Sequence, residues 1–215
     1  MAKCRLILVR HGESEGNRDR RFLGHTDLPL TDRGHEQAKK TAEFLEKYEI
    51  DLMYSSDLKR AFQTGEHIAE IKCLSIIEDP VLREIYAGDW EGKEIKVLER
   101  EFEKDYAVWK NNIGLSRCTG GESFAELYGR IIPELERIAA DNSGLSVCIT
   151  THATPIRCAR LKAFGYPFER ANEIGWTANA SVTVIDVDEV GNFTMVEDNL
   201  YSHLGELSTV LPKNI

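Results

Sequence analysis

Cysteine is sparse in this chain. Five occur among 215 residues, at positions 4, 73, 118, 148 and 158, an odd count with no Cys-x-x-Cys pair. That argues against a disulfide framework, and buried free thiols are expected. Cys148, His152 and Cys158 follow no known zinc spacing, so no metal is expected. Basic charge is also short: 27 Lys and Arg stand against 36 Asp and Glu, for a net charge of −9. Nucleic-acid binders usually carry a basic stripe, so nucleic acid is not expected as a partner. A small phosphorylated molecule stays compatible, because a few converging arginines can dominate the local field of an acidic protein. No apolar run approaches a membrane span, so no membrane association is expected. Met1 to Arg5 lead straight into a strand without the pattern of a cleaved leader, and the cytoplasm is the expected compartment. Repeats, low-complexity tracts and linkers are missing as well.

What remains is an alternation of strand and helix signals. Residues 4–10 read as a first strand, with Leu6 to Val9 as its apolar run. Thr31 fits the N-cap of a helix through about Lys47, with Ala38, Thr41, Ala42 and Leu45 on its apolar face. Residues 51–55 form a second strand, Asp57 opens a helix through about Glu70, and 75–78 read as a weaker third strand. Residues 93–112 are helical and polar, with Val97, Phe102, Tyr106 and Trp109 scattered along them. After Gly120-Gly121, Phe124, Leu127, Ile131, Leu135 and Ile138 recur at helical spacing. Residues 145–151 form a central strand, and Pro155 fits the first turn of the next helix. Strands 180–187 and 192–198 are joined at Asp188–Gly191 as a hairpin. The expected fold class is α/β: a three-layer α/β/α sandwich on a mainly parallel sheet, with an antiparallel edge strand from that hairpin. One domain spanning 1–215 is expected, with a lid-like insertion at about 86–120.

Three of these strands end in residues suited to an anion. The first delivers Arg10 and His11, with Gly12 where the backbone must turn. The second is followed by Ser55-Ser56-Asp57-Leu58-Lys59-Arg60, which sets Arg60 in the first turn of a helix beside its free amides. The 145–151 strand leads into His152. Open α/β sheets place ligands at such strand ends. Guanidinium groups hold phosphate oxygens by paired hydrogen bonds, and an imidazole can attack phosphorus. Any one of these residues alone would be read as an ion pair or a structural histidine; the set reads as a phosphate site.

The string Arg10-His11-Gly12-Glu13-Ser14 with Asn17 resembles the first motif of the histidine phosphatase superfamily, also called the phosphoglycerate mutase-like family. The resemblance covers nearly the whole chain. It continues through Phe22-Leu23-Gly24-His25-Thr26-Asp27-Leu28-Pro29-Leu30-Thr31, then Gly34, Gln37 and Ala38. It returns in Ser55-Ser56-Asp57-Leu58 with Arg60-Ala61 and Gln63-Thr64, and in Leu82-Arg83-Glu84-Ile85 with Gly88 and Trp90-Glu91-Gly92. Gly121-Glu122-Ser123 and Asn199 to Leu204 complete it. The resemblance implies a metal-independent phosphomonoester hydrolase with no cofactor, acting on a small phosphorylated metabolite through phosphohistidine. The α-ribazole phosphate or broad sugar phosphate specificities of the family come into question. It implies catalytic roles for His11, Glu84, His152, Arg10 and Arg60. His11 would be the nucleophile and Glu84 the proton donor, while Arg10, Arg60 and His152 would hold the phosphoryl group. Asn17, Leu23 and Gly24 would line the pocket beside them.

Glu13, Glu78 and Glu91 are rivals to Glu84. Gly88 and Trp90 read as a turn and a packing anchor. His25, His35, His67 and His203 read as surface or supporting residues, and the aromatics of the lid as core, with Trp109 or Tyr106 able to touch a substrate. Two departures from the family pattern stand out. Ala153 replaces the usual glycine after the second histidine, and the lid carries Arg100, Lys104, Lys110 and Arg117 without an adjacent arginine pair. The second weakens the first alternative, a cofactor-dependent phosphoglycerate mutase. The other alternative is a catalytically inactive phospho-ligand sensor. An exposed apolar strand edge or lid would support a homodimer.

Overall fold

Strand β1 (Lys3–Arg10) is buried on both faces, and its side chains alternate between two apolar clusters. Leu6 and Leu8 enter one cluster, while Ile7 and Val9 enter the other. That period of two makes β1 the centre of a three-layer molecule. The computed structural model describes residues 3–209. After β1 come a one-turn helix α1 (Glu15–Arg18) and then α2 (Asp32–Leu45). Thr31 caps α2 as expected, its side chain accepting the Gly34 amide at 3.0 Å. Strand β2 (Leu52–Ser55), α3 (Lys59–Lys72) and β3 (Ile76–Glu78) follow. Two short helices, α4 (Ile95–Glu101) and α5 (Glu103–Asn111), precede the long α6 (Phe124–Asp141). Strand β4 (Ser146–Thr151), α7 (Ala153–Phe164) and the hairpin β5 (Val182–Asp188) and β6 (Phe193–Leu200) complete the regular elements.

The six strands form one sheet in the order β3-β2-β4-β1-β5-β6. The first four run parallel, and the C-terminal hairpin adds β5 antiparallel to β1 and β6 antiparallel to β5. Ala42 and Leu45 of α2 and Ile68 and Ala69 of α3 cover one face of the sheet. Helices α6 and α7 cover the other, joined by Trp90, Leu98, Tyr106 and Trp109 from the lid-like segment. This is the expected mainly parallel sandwich with its edge hairpin. Among the described residues no helix is long and apolar enough to cross a membrane.

Two elements differ from the sequence reading. The α3 helix begins at Lys59 after Leu58, not at Asp57. Asp57 is drawn away by Arg83, whose Nε lies 2.7 Å from its carboxylate, and a two-armed ion pair outcompetes a helix cap. Residues 93–112 are two helices rather than one. They meet at Phe102, whose backbone (φ −124°, ψ 32°) leaves the helical region while its ring packs edge-on against Trp90. The four described buried cysteines and the exposed Cys73 are all free thiols.

Candidate active site

The sheet order sets β4 between β1 and β2, so three parallel strands end side by side. Arg10 stands in register with Thr151, and Ser55 with Thr150. The residues that leave these ends, His11, Ser56 and His152, therefore meet in one place. The rings of His11 and His152 lie edge to face with centroids 5.3 Å apart. Arg10, His11, Arg60 and His152 are all at most 4% exposed.

His11 Nδ1 lies 2.7 Å from the Gly12 carbonyl. A carbonyl can only accept, so Nδ1 carries the hydrogen and Nε2 keeps its lone pair. Burial first, then the charges of Arg60 and Arg10, hold the imidazole well below its ordinary range, so it is neutral. His152 is pushed down the same way, by burial and then Arg60. Its Nε2 meets Ser56 Oγ at 2.9 Å, and that oxygen also accepts the Leu58 amide at 3.4 Å. The other ring nitrogen, Nδ1, is buried without a protein partner. Arg60 enters from the first turn of α3 and donates to Thr26 O at 2.8 Å and Gly24 O at 2.7 Å. Arg10 donates to Thr177 O, and its Nε is buried and unpaired. Burial lowers both guanidinium pKa values to about 10, so both stay charged near neutrality. Two partly satisfied cations in a buried pocket are poised for an anion.

Glu84 faces this group from the segment after β3. Its two oxygens accept the Ile85 amide at 2.8 Å and the Thr154 amide at 3.3 Å. Arg10, His11, Arg60 and Glu84 line one cavity of about 820 Å³, together with Asn17, Leu23 and Gly24. His152 is fully buried behind the lining residues. Asn17 caps α1 with Ser14 and accepts from Asn179 Nδ2 at 3.1 Å. Gly24 needs its positive φ of 50°, and a Cβ there would lie 2.3 Å from Glu91 Oε1. Ala153 opens α7 with ordinary helical geometry, so glycine is not required there, and its methyl forms part of the cavity wall.

The histidine phosphatase superfamily (branch 1) model matches residues 6–199. The chain belongs to this superfamily. Phosphoserine phosphatase 1 of Hydrogenobacter thermophilus is 34% identical over 202 residues, covering 94% of this chain and 95% of that protein. Adenosylcobalamin/alpha-ribazole phosphatase of Escherichia coli is 30% identical, covering 81% of this chain and 88% of that protein. Among solved structures, Bacillus stearothermophilus YhfR superposes with a TM-score of 0.88 and 29% identity, covering 94% of this chain and 99% of that one.

In this histidine phosphatase four of the five expected catalytic candidates line one cavity, and the fifth, His152, is buried against the His11 ring. Of the rivals to Glu84, Glu91 turns away from His11. It accepts the amides of His25 and Thr26, both at 2.8 Å, and so shapes the loop that holds Arg60. Glu78 lies exposed on the edge strand, and Glu13 bonds Thr31 at the start of α2. Gly88 (φ 54°) and Trp90 are the turn and the buried anchor expected of them.

Reading the sequence missed the residues that hold the Glu84 segment. Arg130 on α6 donates to Arg83 O at 3.0 Å and Glu84 O at 3.1 Å, and pairs with Glu122 at 2.9 Å. His25 Nε2 donates to Glu84 O at 2.9 Å. Asn179 donates to His11 O at 3.1 Å. Glu122 lay inside a recognised motif, but Arg130 looks like any polar position of an amphipathic helix.

Proposed function

We propose that this protein hydrolyses phosphomonoesters of a small metabolite through a phosphohistidine on His11. The reading rests above all on one observation. His11 is locked by Gly12 O into the tautomer with a free Nε2, and it lies neutral between two buried guanidiniums. In the first step Nε2 attacks phosphorus, the N–P bond forms, and the P–O bond to the alcohol breaks. Protonated Glu84 gives its proton to the departing oxygen. In the second step water attacks phosphorus, Glu84 takes the proton from that water, and the N–P bond breaks to release phosphate. Arg10, Arg60 and His152 hold the phosphoryl oxygens and stabilise the charge that builds on them. Asn17, Leu23 and Gly24 complete the rim of the phosphoryl site. Positioning and fixed positive charge are most of what this chemistry asks of a protein, and no metal is needed in this scheme.

Hydrolysis is favoured over phosphoglycerate mutase activity because the lid offers no adjacent arginine pair, and its Lys96 and Lys110 are engaged by Glu94 and Glu99. A homodimer is proposed through the free edge at β6, where Val196 is 44% exposed; sedimentation would read it. The deciding experiment follows phosphate release and isomer formation from a panel of phosphomonoesters, with an alkaline denaturing quench to trap the acid-labile phosphohistidine. Release is expected from the wild type and a loss of a thousandfold or more from His11→Ala. Full activity of that variant sinks the nucleophile. Isomer formation without release favours a mutase, and tight phosphate binding with no turnover favours a sensor.

A further inference from the structure

Beyond the phosphoryl site the cavity changes character. Its inner wall is apolar and aromatic, built by Phe22, Ile95, Tyr106, Trp109 and Trp176. Tyr106 and Trp109 are nearly fully buried, whereas Trp176 is only partly buried and lines the cavity. Trp176 is held rigidly: its ring lies near-parallel to Trp109 (29°, centroids 6.0 Å apart). The buried Arg157 guanidinium sits 3.9 Å from the Trp176 ring centre.

Arg157 apart, the charged residues beyond the phosphoryl site stand at the mouth, and most are already committed. Lys96 pairs with Glu94 at 2.7 Å and Lys110 with Glu99 at 3.0 Å. Arg21 donates to Gly92 O at 2.9 Å. Asp19, Glu94 and Glu99 also line the mouth, each paired with a cation: Arg18, Lys96 and Lys110. Arg20 stands on the exposed outer rim.

Building on the phosphatase reading, we propose that the alcohol carried by the substrate presents a flat apolar ring to Trp176. The cavity of about 820 Å³ suits such a group, since pockets of roughly 300–1,000 Å³ take ligands of drug size. A three-carbon acid would leave most of the aromatic wall uncovered.

The test compares kcat/KM for naphthylmethyl phosphate and benzyl phosphate with that for O-phosphoserine and phosphoglycerate. All four leave as alkoxides of ordinary alcohols, so differences report binding of the alcohol. The wild type is expected to favour the arylmethyl esters by about tenfold or more. Trp176→Ala should shrink that ratio by about tenfold, and Trp176→Phe should keep most of it. Should the alanine variant not fold, the wild-type ratio and the phenylalanine variant still decide. A wild-type preference for either acid overturns the proposal and leaves the phosphatase reading intact. So does an unchanged ratio in folded Trp176→Ala. Absence of phosphate release from all four esters overturns the phosphatase reading, and the proposal falls with it.

Discussion

His11 and His152 are the two residues whose protonation most directly links the site to stability. Each is held neutral, with its pKa well below the ordinary 6.5, by burial and by the neighbouring guanidiniums. As pH falls below about 6.5, the unfolded chain takes up protons that the native chain refuses. Stability is therefore full above the unfolded pKa and falls as the pH drops toward the depressed native values. The slope is roughly 1.4 kcal/mol per pH unit for each histidine. Denaturant unfolding at pH 7 and pH 5.5 should show this loss, and a His11→Gln/His152→Gln variant should show a shallower one. Equal slopes would mean that the native imidazoles take up protons freely.

The segment from Leu82 to Ile85 has no regular hydrogen-bonded structure of its own beyond a short turn, so its position depends on what grips it. Arg130 does this from α6, tying Arg83 O and Glu84 O to Glu122. Thr151 at the end of β4 adds a bond to Leu82 O at 2.7 Å. Loss of Arg130 leaves Arg83 O without its donor and takes one donor each from Glu84 O and Glu122, at a cost of about 1–3 kcal/mol in stability. Displacement of Glu84 should also lower kcat about tenfold or more while KM changes little. Steady-state kinetics and denaturant curves for Arg130→Met test both effects, and Arg130→Lys should recover part of the kcat. A stability loss with kcat intact would make Arg130 merely structural. This grip was not legible in the chain, because an arginine on an amphipathic helix has the same local signature whether it faces water or a loop. Asp57 misled for a related reason: its local sequence suits a helix cap, and its partner Arg83 is remote.

Across the molecule, the net charge of −9 coexists with a buried cationic pocket whose guanidiniums are only partly satisfied. An oxyanion binding there should stabilise the native state by about 2.7 kcal/mol at a hundred times its Kd. For a chain of this size that corresponds to a rise of roughly 5–10 °C in Tm. Thermal melts with phosphate or orthovanadate should show the rise, and Arg60→Met should remove most of it. A chelator should leave both the shift and the turnover unchanged, since the guanidiniums supply the charge. A Tm indifferent to both oxyanions would contradict the anion site.

The chain alone was enough to establish the α/β alternation, the direction of the strands and the residues at their ends. Those features are encoded locally, in apolar periodicity and in short strings such as Arg10-His11-Gly12. The family resemblance of the stretch from Leu82 to Gly92 singled out Glu84 among several glutamates. Folding alone decided that β4 inserts between β1 and β2, and this order is what unites His11, Arg60 and His152. Strand order depends on pairings between residues far apart in the chain, which leave no local trace. The same holds for Arg130, for Asn179 and for the Trp109–Trp176 wall, each of which acquires its partner only when distant segments pack together.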